Sequence, residues 1–295
     1  MHAKKLKANA FLLLAAFIWG MAFVAQSKGM ESCGPFLFNG VRTLLGGLVL
    51  LPVISWLDKK EKREKEAKKW PIFGGIACGL VLFLASSSQQ IGLLETGPGK
   101  AGFITALYVV LVPVFSLFFG KKTTAITWVS VGIAIFGMYL LCLDGETFTL
   151  AKSDLLVLLC AVLFACHIMV IDHFAPHVDC VRMACLQFFV SGILSLVVAV
   201  FTEEVRLIHI LDAAVPILYT GVLSSGVAYT LQVVAQKDTD PASAALICSL
   251  ESVFALLGGF LIMGELFSAR ELWGCVLTFG AILLSQLPVF QHRKV

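Results

Sequence analysis

Along the chain, apolar residues fall in long blocks separated by short polar segments, and each block is close to the ~20 residues that a helix needs to cross a bilayer's hydrocarbon core. The uncharged runs predict helices near 8–27, 35–57, 71–93, 98–119, 124–143, 154–172, 181–201, 212–235, 241–263 and 271–290. Start signals mark several of them. Pro35, Pro71, Pro98 and Pro241 suit a first helical turn, where a missing N–H costs nothing, and Asp154 and Asp212 suit helix N-termini because a carboxylate complements the dipole there. The pattern predicts an all-α integral membrane protein of ten transmembrane helices. Lys4, Lys5 and Lys7 before the first block resemble the start of a signal peptide, but no small-x-small cleavage site follows, so the block is read as a retained helix.

Charge orients the helices. With the N-terminus placed inside, the inner segments hold Lys4, Lys5, Lys7, the seven basic residues from Lys59 to Lys69, Lys121, Lys122, Arg182, Lys237, Arg293 and Lys294. The outer segments hold only Lys28, Lys100, Lys152, Arg206 and Arg270, so both termini are expected in the cytoplasm. The mixed-charge loop from Asp58 to Lys69 reads as a solvated topology determinant, or a short helix, without chemistry of its own.

The two halves of the chain repeat one another. LLETGPGKAGFITALYVV, from Leu93, lies on AQKDTDPASAALICSLESV without gaps when Thr96 is set on Thr239, an offset of 143. Gln89 then falls on Gln232, Pro98 on Pro241, Ala101 on Ala244 and Tyr108 on Glu251. The first and sixth spans match more weakly, with Trp19 and Gly20 on Phe164 and Ala165. Two five-helix repeats, 1–145 and 146–295, must enter the membrane from opposite sides because five is odd. Inverted repeats of this kind place a binding site near the bilayer midplane, where the halves rock against each other.

Composition narrows the function. A chain with 59% hydrophobic and 14% charged residues and a mean hydropathy of +0.92 is too apolar to face water. Its net charge of +3 sits in short loops rather than on an aromatic-lined face, which argues against nucleic acid as a partner. The nine cysteines form no CxxC pair and lie mostly in apolar runs, so they are expected to be reduced small hydrophobes; no metal or cofactor is expected.

The polar residues inside the spans are the candidates for a site. Glu251 is the only acid at the centre of any span, where an ionised carboxylate costs several kcal/mol unless paired or hydrated. It must face the protein interior, either as a proton-coupling and substrate-binding group or as a neutral, hydrogen-bonded structural one. Tyr108, equally central, either contacts a ligand or packs the core with its hydroxyl satisfied. SSSQQ from Ser86, and Tyr219, Ser224, Ser225, Tyr229 and Gln232 in the eighth span, are polar insertions; Gln89, Gln232 and Tyr229 are taken as substrate-binding, against the alternative of bonding neighbouring helices. Trp19, beside Gly20, suits a cavity wall, and His167 either serves the substrate or is a neutral buried histidine. Arg42 stands near enough to the outer end of its span to snorkel; partnership with a cavity acid and substrate-anion binding are its other readings. Pro113 is a candidate hinge. Gly75, Gly79, Gly46, Gly47, Gly258 and Gly259 suit close helix packing, and GPGK from Gly97 does not meet the phosphate-loop pattern.

Over essentially its whole length the chain resembles the EamA family of the drug/metabolite transporter superfamily. The likeness is carried by FIWGMAFV, NGVRTLLGG and TGPGKAGFITALYVVLVPVFS in the first half, and by SLESVFALLGGFLIMGE and ELWGCVLTFGAILLS in the second. It implies a transporter of amino acids, other metabolites or drugs, often proton-coupled, with a cavity lined chiefly by the first, third, fourth, sixth, eighth and ninth spans. In that family the ninth span commonly reads Glu-Pro-Val-Phe-Ala; Ser252 stands in the proline's place here, which removes the proline kink.

Together these readings predict a secondary transporter of a small organic solute, an amino acid or relative, exported by alternating access and driven by the proton gradient or by the solute gradient alone. It would be a multi-pass protein of a bacterial plasma membrane acting as a monomer. A membrane-embedded enzyme acting on a lipid is the alternative, but the chain holds no DxxxD or HExxH cluster at a membrane face. A helper subunit, the third reading, has no need of a polar midplane.

Overall fold

The computed structural model describes residues 2–60, 71–96, 98–120, 123–142, 151–258 and 268–285. In a bilayer the backbone must satisfy its own hydrogen bonds, and among the described residues every regular element is helical. The order is α1 (His2–Met30), α2 (Pro35–Lys60), α3 (Ile72–Leu93), α4 (Pro98–Ala106), α5 (Tyr108–Phe118), α6 (Ala125–Cys142), α7 (Lys152–Phe174), α8 (Cys180–Thr202), α9 (Leu207–Asp212), α10 (Ala214–Leu218), a π-helical stretch (Tyr219–Tyr229), α11 (Thr230–Ala235), α12 (Pro241–Cys248), α13 (Glu251–Gly258) and α14 (Ala269–Ser285).

Among the described residues, seven stretches are long and apolar enough to cross a membrane, and Ala125–Leu140 and Pro241–Ala255 are shorter apolar helices. Their outer faces carry Phe73, Phe118, Phe201 and Trp273, exposed large side chains that suit lipid rather than water. Most of the charged loop (61–70), Gly97, Lys121, Lys122, Gly259 and the final residues from 286 lie outside the described residues, as does the end of the predicted ninth span.

Pro35, Pro98 and Pro241 do open helices, and Asp240 caps α12 by accepting from the Ser243 N–H at 2.9 Å. Asp212 departs from its expected place. It ends the short α9, and the following pass begins at Ala214.

α2 lies along α8, α6 along α14, and α3 along both α7 and α8. Glycines permit these approaches: a Cβ on Gly92 would stand 2.4 Å from Val157 Cγ2 of α7, and one on Gly79 2.6 Å from Val190 Cβ of α8. α2 and α8 are also tied at both ends. At one, the buried Arg182 guanidinium pairs with Asp58 at 2.7 Å and Asp179 at 3.1 Å. At the other, the Glu203 carboxylate accepts from the Phe36 and Leu37 N–H groups, each at 2.8 Å, and so caps α2 from a neighbouring helix.

Two predicted spans are interrupted midway. The fourth breaks at Leu107 between α4 and α5, and the ninth at Ser249 and Leu250 between α12 and α13. Leu107 and Leu250 stand at the offset that aligns the halves. At both breaks the backbone tightens to i→i−3 bonds: Leu107 N to Ile104 O at 3.2 Å, and Leu250 N to Ile247 O at 3.2 Å. Pro113 sits inside α5, six residues past the break, so the interruption lies at Leu107 rather than at the proline. In the second half hydroxyls accompany the bend: Ser249 Oγ donates to Leu246 O at 2.8 Å and Ser252 Oγ to Ser249 O at 2.6 Å. The residue that replaces proline thus takes part in an interrupted helix after all.

α1 meets the second break directly. A Cβ on Gly20 would lie 2.5 Å from Phe254 Cβ and 2.6 Å from the Glu251 carbonyl oxygen. Gly20→Ala should therefore cost about 1–3 kcal/mol of overpacking and lower the apparent melting temperature of the detergent-purified protein by several degrees. Gly132→Ala, whose new methyl meets nothing, should leave the melt unchanged; equal melts for both variants would mean that α1 does not seat on α13 in this way.

Candidate functional site

The two breaks face each other. Tyr108 opens α5 and Glu251 opens α13, each the first residue after its interruption, and the Tyr108 hydroxyl donates to Glu251 Oε1 at 3.1 Å. Both side chains are buried. Among the described residues no cation pairs with Glu251, so its carboxyl is held by a neutral donor alone.

A cavity opens around this pair. Its empty space, mouth included, is about 520 Å³, and its walls are Trp19, Phe23 and Gln26 of α1, Arg42 of α2, Gln89 of α3, Thr105 of α4, Tyr108 of α5, Phe164 and Ile168 of α7, Ser224 and Tyr229 of the π-helical stretch, Gln232 of α11, Cys248 of α12 and Glu251 of α13. The aromatic side is fixed by contacts between elements. The Trp19 ring meets Tyr229 edge-on at 4.7 Å, and its indole N–H donates to the Ser224 carbonyl at 3.3 Å. Tyr219 Oη donates to Ile18 O at 3.1 Å, so the π-helical stretch is tied to α1 twice. π-Helical segments recur at functional sites because the wider turn frees backbone groups and re-aims side chains. On the polar side, Gln89 Nε2 reaches Thr105 Oγ1 at 3.4 Å, while Gln26 Oε1 and Gln232 Oε1 are buried with no hydrogen-bond partner among the described residues.

Of the seven residues singled out from the sequence, six line this one cavity: Trp19, Gln89, Tyr108, Tyr229, Gln232 and Glu251. His167 does not. It is fully buried behind Tyr229, edge-on to that ring at 6.0 Å, with Nε2 paired to Gln187 Oε1 at 3.0 Å. Arg42 also departs from expectation, for it does not snorkel: it is 3% exposed and turned into the cavity. The sequence reading missed Thr105, Cys248, Phe164 and Ile168 as wall residues. The signal was present: Thr105 and Cys248 stand 143 residues apart, as do Gln89 and Gln232, and the Trp19 to Phe164 spacing recurs between Phe23 and Ile168. Gln26 has no such counterpart on the cavity wall.

The model of the EamA-like transporter family matches the chain twice, over residues 6–143 and 151–287. The chain belongs to the EamA-like transporter family. Among its EamA relatives, an uncharacterized transporter of Archaeoglobus fulgidus is 33% identical, over 97% of this chain and 88% of that one. The uncharacterized inner membrane transporter YedA of Escherichia coli is 24% identical, over 91% and 87% respectively. The uncharacterized transporter YoaV of Bacillus subtilis is 23% identical, over 96% and 98%. One solved crystal structure shares the EamA-like fold, with a TM-score of 0.78, 18% identity and coverage of 95% of this chain and 96% of the other. The protein is thus a multi-pass membrane protein of a transporter family.

The Tyr108–Glu251 contact is open to a direct check. In a double-mutant cycle of Tyr108→Phe and Glu251→Gln, followed by thermal melts, the coupling should be about 1–3 kcal/mol, the range for a hydrogen bond to a charged or strongly polar buried partner. Strictly additive losses would mean that the contact contributes nothing to stability.

Proposed function

We propose that this protein is a secondary transporter that carries a small organic solute, an amino acid or relative, by alternating access around the cavity between α4–α5 and α12–α13, with export as its direction. The observation that carries the reading is the hydrogen bond between Tyr108 and Glu251, formed where two helices break at equivalent points of the two halves. A wall that is interrupted on both sides of a buried carboxyl can change shape without unfolding a whole helix. The halves are 1–145 and 146–295, related as inverted five-helix repeats that make ten passes with both termini in the cytoplasm. The packing supports that arrangement, since α2 lies on α8 and α6 on α14, the pairs that an internal two-fold axis brings against their own equivalents. The inner membrane named for the Escherichia coli relative supports a bacterial plasma membrane as its site. One chain encloses the cavity, which supports a functional monomer.

Glu251 is assigned as the coupling group, a proton loading and leaving its carboxyl as the cavity opens to either side. In liposomes holding a pH dye, amino acids and small amines applied under an imposed proton gradient should drive proton flux through the wild type. Glu251→Gln should abolish that flux while melting as a folded protein. Radiolabelled solute moving equally well in both proteins would make Glu251 structural and end the coupling assignment. Absence of any solute movement would end the transport reading itself.

A further inference from the structure

We propose that Arg42 is the carboxylate-binding residue of the cavity and Glu251 its ammonium-binding residue, so that the site selects amphoteric solutes over amines or acids that carry one charge. The inference deepens the transport reading above and rests on it.

Arg42 sits two turns into α2 and is 3% exposed. A guanidinium does not lose its proton in a protein, so burial leaves it a charge that something must compensate. Its partners within the chain are neutral. Nε donates to Asn39 Oδ1 at 2.8 Å, and the guanidinium stands 5.9 Å from the centre of the Phe38 ring. Among the described residues no carboxylate lies within ion-pair distance of it; the charged pairs that do form involve Arg182, Lys28 and Arg206 instead. Asn39 engages the inner nitrogen, which orients the group, and the residue lines the cavity with a side chain whose two outer nitrogens form the fork that recognises carboxylates in a bidentate manner.

Glu251 is the mirror case, a buried carboxyl with a neutral hydroxyl as its partner. One cavity thus holds two opposite charges, each positioned by a neutral group and neither bonded to the other. A small solute with both a carboxylate and an ammonium completes both. An amine leaves Arg42 uncompensated, and an acid leaves Glu251 either ionised without a partner or neutralised by a proton, so each single-charge solute forgoes a contact that an amphoteric one makes. Gln26 Oε1 and Gln232 Oε1, buried in the cavity lining with no hydrogen-bond partner among the described residues, add acceptors for N–H donors. Trp19, Phe23, Phe164 and Tyr229 leave an apolar wall for the rest of the solute.

The test uses the full chain in proteoliposomes with radiolabelled leucine, competed by pooled α-amino acids, by isopentylamine and by isocaproate, the last two being leucine without its carboxylate and without its ammonium. Wild type should take up leucine or yield to an α-amino acid competitor, with each single-charge analogue at least about tenfold weaker. Arg42→Gln should lose that preference by weakening leucine and not isopentylamine, and Arg42→Lys should fall between. Glu251→Gln should weaken leucine and isopentylamine and spare isocaproate. Equal weakening of leucine and isopentylamine by Arg42→Gln overturns the assignment, as does a wild type that prefers a single-charge analogue or is untouched by every α-amino acid. Should the Arg42 variants fail to fold, the wild-type ranking decides alone. Transport of amines or acids without the preference keeps the transport reading and removes this one.

Discussion

A carboxyl halfway along an apolar helix constrains every element near it. Held ionised at the bilayer centre, such a group costs on the order of 3 kcal/mol on insertion scales, and one hydrogen bond from a neutral hydroxyl returns about 1–3 kcal/mol, less the cost of ordering the two side chains. The Tyr108 contact therefore offsets only part of the cost of placing Glu251 there. The remainder has to come from a polar cavity, from a proton or from a bound solute. That is why the glutamate lies where two helices are broken and where α1 approaches through Gly20 closely enough to leave no room for a methyl. An unbroken, tightly packed α12–α13 would bury the same carboxyl with nothing but apolar side chains around it.

Breaking a helix inside a membrane exposes backbone groups that lipid cannot satisfy. The chain confines its irregular backbone to the cavity side and supplies replacements from nearby. Tightened i→i−3 bonds cover Leu107 and Leu250, serine hydroxyls bond backward at Ser249 and Ser252, and the Trp19 indole takes up the Ser224 carbonyl in the π-helical stretch. The hydroxyls explain why proline is dispensable in this second-half helix: a serine that bonds its own preceding turn bends a helix without removing a donor.

How much of this could be read from the sequence follows from what each signal measures. Hydropathy finds the apolar blocks, and the repeat offset pairs Tyr108 with Glu251 before any coordinates exist; their side chains then prove to touch. Depth along a helix, however, says nothing about rotation around it. Arg42 looked free to snorkel because it lies near a helix end, yet it points inward; His167 looked central because of its depth, yet it turns to Gln187 behind the cavity wall. The breaks at Leu107 and Leu250 carry no glycine or proline, and the π-helical stretch holds Gly221, Gly226 and the Ser224–Ser225 pair, residues equally at home in ordinary close helix packing. The π-helical stretch is held by its contacts with α1, whereas the second break also draws on the local hydroxyls of Ser249 and Ser252.

The distribution of fixed and yielding contacts bears on how such a molecule would move. α2 and α8 are latched at one end by the Arg182 ion pairs and at the other by Glu203 on the N-terminus of α2, so a displacement of either helix carries the other with it. The cavity wall opposite is built from short helical pieces joined at single-residue or two-residue breaks, and between them runs one hydrogen bond from a tyrosine to a glutamate. A rearrangement that separates Tyr108 from Glu251 costs one such bond, whereas one that parts α2 from α8 must break charged contacts at both ends. The easier deformation is therefore the one centred on the carboxyl. If Arg42 moves with the latched pair while Glu251 moves with the broken wall, a solute spanning the two would register the relative position of the two bodies. Occupancy and shape would then be linked through the same pair of charges that recognises the solute.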